Sequence, residues 1–222
     1  MIESIYQFDY AVLNFIQEHL TNAFGDVFFP IYTQIGGMKG AFCILLGMIL
    51  IFFPKTRKIG FTVGFALLIG VLVTNVTVKP LVARVRPYLN FEWNPLRTLE
   101  GVNELTGVTT NKLLTAAETD FSFPSGHSTA VMETAWAIFF YNKKWGSVSL
   151  AAALLVVYSR LYLYMHYVTD VLGGMLVGTL AAVAGYFIMK WLWPRLNDFI
   201  REYSLLDTFR EQWKKKKKEP KE

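Results

Sequence analysis

Five blocks of this chain stay nearly free of charge over lengths that approach the thickness of a bilayer, and no other feature restricts its folding as much. They run over about 36–53, 59–78, 125–141, 146–163 and 168–193. A helix needs roughly 20 mostly apolar residues to cross the hydrocarbon region, and blocks of this length and continuity exceed the needs of a soluble core. The expectation is an all-α polytopic membrane bundle of about five transmembrane helices, flanked by amphipathic helices at the interface. Composition agrees: 18% of the residues are charged and 53% hydrophobic, where soluble domains carry roughly 25% charge. Disordered chains, disulfide scaffolds and ordinary soluble enzymes are excluded. Cys43 is the sole cysteine, so neither an intrachain disulfide nor a thiolate zinc site can form.

The blocks divide the chain, read as one domain over 1–222, into a flank at 1–35, a bundle at 36–193 and a tail at 194–222. In the first flank Ile5, Phe8, Val12, Phe15 and Ile16 make one helical stripe, opposite Glu3, Gln7, Asn14, Gln17 and Glu18. That pattern describes a helix lying along the membrane surface. A sixth span over 10–35 is the alternative, opposed by Glu18, His19 and Asp26. Glu3 is the first charge, so no basic leader of a signal peptide is expected. Lys39 lies near the start of the first block and must snorkel to the interface. In the tail, Leu196, Phe199, Ile200, Tyr203, Leu206 and Phe209 predict a second surface helix.

Charge sets the orientation. Lys55, Arg57, Lys58, Lys143, Lys144 and the tail, with its run at 214–218, fall on one side of a five-span bundle. Glu92, Glu100, Glu104, Glu118 and Asp120 fall on the other. An excess of Lys and Arg marks the cytoplasmic side, so the tail is expected in the cytoplasm and loop 84–123 outside, in a plasma membrane. Attraction to anionic headgroups accounts for the lysine run, and no nucleic-acid partner is called for.

Three polar groups meet the outer face of the spans. Lys79 ends the second block and Arg86-Pro87 follows; Pro124-Ser125-Gly126-His127 opens the third; Ser159-Arg160 closes the fourth, with His166 and Asp170 opening the fifth. Ionisable groups at membrane depth are expensive and point to function. Lys79, Arg86 and Arg160 suit phosphate oxygens, the two guanidinium forks bidentately. Ser125 adds a hydroxyl donor, Gly126 admits close backbone approach, and a helix starting there turns its positive end to an anion. His166 and Asp170, four apart, share a helix face, so the carboxylate can orient the imidazole as a nucleophile. His127 is placed to protonate a leaving oxygen. Among these residues no acidic cluster for Mg²⁺ occurs, so no metal and no cofactor are expected.

Lys79-x6-Arg86-Pro87, Pro124-Ser125-Gly126-His127 and Ser159-Arg160-x5-His166-x3-Asp170 together resemble the three-part signature of the type 2 phosphatidic acid phosphatase family. The resemblance spans Lys79 to Asp170 and every signature position is matched. It implies a metal-independent membrane lipid phosphatase with a phosphohistidine intermediate: His166 the nucleophile, Asp170 its orienter, His127 the general acid. Lys79, Arg86, Ser125, Gly126 and Arg160 would bind phosphate. The substrate is expected to be a lipid phosphate (polyprenyl diphosphate, phosphatidylglycerol phosphate or phosphatidic acid), with the first favoured. The competing readings are a phosphotransferase on the same site and a non-catalytic anionic-lipid transporter, which leaves the His166–Asp170 spacing without a purpose. Nothing in the sequence sets an oligomeric state.

Two features stay unassigned. Loop 88–123 is long and carries Trp93, Leu96, Leu99, Leu105, Leu113 and Leu114, suiting a lid, a docking surface or a plain cover. Glu133 lies two turns into the third block, where pairing with a neighbour such as Asn75 is the expectation and lining the inner end of the site the alternative.

Overall fold

The computed structural model describes residues 2–37, 40–89, 114, 115 and 118–203, with 201–203 as backbone alone. Lys39, the loop residues Trp93, Leu96, Leu99, Leu105 and Leu113, and the tail from 204 onward lie outside them. Every regular element among the described residues is helical. In chain order they are α1 (Ile2–His19), α2 (Ala23–Tyr32), α3 (Ala41–Phe52), α4 (Arg57–Val71), α5 (Lys79–Val82), α6 (Gly126–Tyr141), α7 (Lys143–Tyr162) and α8 (Val168–Tyr203). A wider π-helical stretch, Leu72–Val78, joins α4 to α5 without a break.

Helix α6 is the axis of the bundle, packed against α4, α7 and α8. Its residues from Ser128 to Ala135 are all buried. Glycines let α8 approach it closely: a Cβ on Gly174 would lie 2.5 Å from the Ser125 carbonyl oxygen, and one on Gly178 2.5 Å from that of Thr129. The core between the helices is Val63, Leu67, Val131, Ala135, Val156 and Val171. The outside is just as apolar, with Leu68, Val76, Leu81, Leu176, Leu180 and Phe187 exposed. In water such a surface would be a large liability; toward lipid it is the normal one.

Among the described residues three stretches are long and apolar enough to cross a membrane: Arg57–Leu89, Lys143–Tyr162 and Val168–Ile200. The two remaining blocks hold α3, of 12 residues, and α6, of 16.

The alternative of one helix over 10–35 fails, and the flanks differ from expectation in two ways. Asn22 is extended and its side chain accepts from Gly25 N at 2.9 Å, capping α2 and breaking the helix between α1 and α2; one helix over 10–35 does not form. Helix α1 has two working faces. Ile5, Phe8 and Phe15 are exposed, but Ile16 and Gln17 are buried with Asp9, Tyr10 and Leu13. The periodicity sets Gln17 on the polar face, whereas its Nε2 donates to the Tyr162 carbonyl at 2.7 Å. Finally, the fifth block and the start of the tail are one helix of 36 residues. No glycine or capping residue separates Trp193 from Leu196, and Pro194 alone does not end the helix.

Candidate active site

The three sequence groups reach one place by different local means. After the π-helical stretch, Lys79 opens the short α5, which ends at Ala83 in the left-handed region (φ 47°). The chain then runs non-helically through Arg84 and Arg86. Ser125 caps α6, its Oγ accepting from Ser128 N at 3.4 Å and from Ser128 Oγ at 3.1 Å. Its own N–H donates to the Asp170 carbonyl at 3.0 Å, tying the second group to the third. Arg160 stands in the last turn of α7, and His166 lies in the connection to α8, where Asp170 occupies the first turn.

Ring nitrogens of His127 and His166 and a carboxylate oxygen of Glu118 all lie within 4.8 Å of one another. His166 Nε2 is 3.1 Å from Arg86 Nη1. A guanidinium can only donate, so Nε2 is the acceptor there and carries its lone pair. The ring proton then sits on Nδ1, which faces Asp170 Oδ2 at 3.5 Å and Ser122 Oγ at 3.4 Å. The expected direct His166–Asp170 bond is therefore long, because Ser122 stands beside it and is itself hydrogen-bonded to Asp170 Oδ2.

The three cations expected to bind phosphate are paired with carboxylates of the chain itself. Arg86 Nη2 meets Glu118 Oε2 and Asp120 Oδ1, each at 2.5 Å. Arg160 Nη2 meets Glu118 Oε1 at 2.5 Å, and Lys79 pairs with Asp120. His127 Nδ1 is 3.8 Å from Glu118 Oε1. Glu118 thus spans Arg86 and Arg160 with its two oxygens, much as two oxygens of a phosphate would.

A match to the PAP2 superfamily extends over residues 59–194. The chain belongs to the PAP2 superfamily. An undecaprenyl-diphosphatase of Sulfolobus acidocaldarius is 33% identical over 160 residues, 67% of this chain and 69% of the relative. A Bacillus licheniformis relative named bacitracin transport permease protein BcrC is 28% identical over 74% of this chain and 71% of its own length. The crystal structure of a PAP2-type phosphatidylglycerolphosphate phosphatase from Bacillus subtilis superposes with a TM-score of 0.61 at 23% identity, covering 86% of this chain and 87% of that one. This PAP2 chain is an integral membrane protein with an all-α bundle.

All eight residues marked in the PAP2 signature fall in or against one site, though not equally. Lys79, Arg86, Arg160, His127 and His166 share the cradle. Gly126 borders it, since a Cβ there would lie 4.0 Å from Lys79 Nζ. Ser125 is buried, with its oxygen engaged as the helix cap. Asp170 sits behind His166.

Electrostatics follow from this crowding. Burial pushes the His166 imidazole well below its usual 6.5, and Arg86 and Arg160 push it further in the same direction. Burial alone would raise the two loop carboxyls, but Arg160 and Arg86 hold Glu118 below its usual range, and Lys79 with Arg86 holds Asp120 down to about 2. Glu118, His127 and His166 have donor atoms close enough to ligate a metal, yet Lys79, Arg86 and Arg160 share the same space. That charge suits an anion rather than a divalent cation.

A cavity of about 670 Å³ leads from Lys79, Asp120 and His127 down between α3, α4 and α6 to Leu67, Gly70 and Glu133. Glu133 is 1% exposed and its Oε2 has no hydrogen-bond partner among the described residues. The expected pairing with Asn75 is replaced by a shared position on the cavity wall, and Gly70 makes the room: a Cβ there would lie 2.0 Å from Glu133 Oε2.

Five participants were not singled out from sequence: Ser122, Glu118, Asp120, Arg84 and Asp9. Ser122 stands two residues before Pro124, inside a Phe-Ser-Phe-Pro run, and its closeness to the motif was the available signal. Arg84 lies between Lys79 and Arg86. Asp9, on α1, carried no local signal.

Proposed function

We propose that this PAP2 protein hydrolyses a membrane lipid phosphate or diphosphate through a phosphohistidine, with no metal in the reaction. The observation that carries the reading is the His166 Nε2 lone pair facing the cation cradle, with His127 across from it. A substrate phosphate displaces Glu118 and Asp120 and is held by Lys79, Arg86 and Arg160, beside the amide groups of the first turn of α6. Arg86 Nη1 shifts its donation from Nε2 to a phosphate oxygen, and the freed His166 Nε2 attacks phosphorus so that a P–N bond forms. The bond from that phosphorus to its leaving oxygen breaks, the lipid oxygen in a monophosphate or the bridging oxygen in a diphosphate, as His127 donates a proton to it. Water, deprotonated by His127, then attacks phosphorus; the P–N electron pair returns to Nε2 and inorganic phosphate leaves. The fixed cations stabilise the charge gathering on the equatorial oxygens, and preorganised charge of this kind usually contributes more to catalysis than any other single effect.

The lining of the cavity favours a lipid. It joins the cationic Lys79 to apolar Ile44, Leu67 and Val71, of which Ile44 and Val71 are exposed. Of the three candidate lipids, the name of the Sulfolobus relative favours a polyprenyl diphosphate. The chain is read as one domain over 1–222, in a plasma membrane, with the site outside and the tail in the cytoplasm. The name of the Bacillus licheniformis relative suggests transport, which accounts for the cradle but not for two imidazoles with a hydroxyl and a carboxylate behind the buried one.

The test is release of inorganic phosphate by purified protein from a panel of polyprenyl diphosphate, phosphatidylglycerol phosphate and phosphatidic acid, with and without excess chelator. Activity that persists in His166→Ala, or that vanishes with the chelator and returns with a divalent metal, refutes the mechanism.

A further inference from the structure

Behind Asp170, away from the cradle, lies a second buried charge cluster. Arg84 Nη1 donates to Asp170 Oδ1 and to Thr169 Oγ1, both at 2.7 Å, and Nη2 meets Asp9 Oδ2 at 2.6 Å. Asp9 completes the ring, its Oδ1 accepting from Thr169 N at 2.9 Å and its Oδ2 from Thr169 Oγ1 at 2.6 Å. The guanidinium rests 3.8 Å from the centre of the Tyr167 ring. Both carboxylates are wholly buried and the Arg84 side chain is 9% exposed.

We infer that Asp9 and Arg84 are positioning residues for the reaction, acting on His166 through Asp170. This inference rests on the reading of His166 as the nucleophile. Two facts of geometry support it. Asp170 is held on both sides, by Arg84 at Oδ1 and by Ser122 and Tyr167 N at Oδ2, so Arg84 fixes which way the carboxylate points. The second concerns charge. An Arg84–Asp170 pair alone would be neutral and would leave little field for the His166 ring, which gains positive charge as it takes up phosphorus. Asp9 makes the three-membered cluster net negative, and that anionic character stabilises the phosphorylated imidazole. A residue of the N-terminal helix, some 160 positions before the nucleophile, thereby sets the electrostatics behind it.

Neither residue touches the cradle, so their loss should appear in kcat rather than KM. The experiment compares Asp9→Asn, Arg84→Lys, Gln17→Ala and His166→Ala in the full-length protein in detergent. A short polyprenyl diphosphate serves as substrate, and rapid quenching under conditions that preserve the acid-labile P–N bond follows phosphoenzyme formation. Asp9→Asn should lower kcat about tenfold, the lower end of the loss seen when outer partners of metal-bound histidines are removed, slow phosphoenzyme formation in step, and leave KM within about threefold. Arg84→Lys keeps the charge but not a fork spanning both carboxylates, and should lower kcat in the same direction. It decides the matter if Asp9→Asn does not fold. Gln17→Ala removes a different contact between α1 and the bundle and should leave kcat near wild type. A normal kcat in folded Asp9→Asn or Arg84→Lys overturns the inference, as does an equal loss in Gln17→Ala, which would make α1 docking the cause. Turnover in His166→Ala would instead overturn the nucleophile assignment itself.

Discussion

On the proposed reading Glu118 and Asp120, paired with Lys79, Arg86 and Arg160, stand where the substrate phosphate binds, so removing them should tighten anion binding. The sign follows from competition: substrate and carboxylate seek the same guanidinium groups, and losing a carboxylate also raises the positive charge of the cradle. Glu118 makes charge-assisted bonds to Arg86 and Arg160 with its side chain 28% exposed. Bonds to charged groups contribute about 1.5–3 kcal/mol, and partial exposure argues for the lower end, so Glu118→Ala should lower the inhibition constant of orthovanadate roughly tenfold. Asp120 is 52% exposed, and pairs of that kind are worth about 0.2–1 kcal/mol, so Asp120→Asn should give a few-fold change at most. The assay is inhibition of phosphate release by orthovanadate at fixed lipid concentration and ionic strength. An inhibition constant that is unchanged or higher in folded Glu118→Ala would show that the carboxylate does not stand in the anion's place.

Burial beside Arg86 and Arg160 keeps His166 neutral below the usual histidine range, so its lone pair survives mild acid. After correction for the ionisation of the substrate and of the general acid His127, kcat/KM should stay nearly flat from pH 7 to 6, where an ordinary histidine nucleophile would lose about threefold; a threefold loss would refute the shift. Gly178→Val forces a side chain against the Thr129 carbonyl and should cost about 1–3 kcal/mol of stability by overpacking, lowering the thermal midpoint together with activity. Gly70→Ala pushes the end of Glu133 into the cavity and should raise KM while expression holds, measured by lipid titration.

The parts that were legible in the sequence are those written in contiguous or periodic form. Apolar blocks announced helices, and the signature residues sat at block ends, so the alternation of spans brought them to one face. Asp9 could not be read this way, because its meaning depends on α1 docking beside the start of α8, a long-range packing event without local periodicity. Gln17 misled for the same reason: amphipathic spacing separates polar from apolar but does not tell a solvated face from one whose polar groups bond to a neighbouring helix. Glu118 and Asp120 looked like loop acids on the outer side, and only their approach to three cations gave them a role. Trp193 is no helix end, because declining hydropathy marks a change of surroundings rather than a break in the backbone.

Ile44 and Val71 line the cavity and are both exposed, and this has an energetic consequence for any long-chain substrate. Lifting an acyl or prenyl tail into water costs about 0.8 kcal/mol for each methylene withdrawn, so ten carbons would add roughly 8 kcal/mol before chemistry began. On the proposed reading, a recess open to lipid at these residues spares the tail that journey: only the headgroup changes surroundings, and turnover should be nearly independent of chain length.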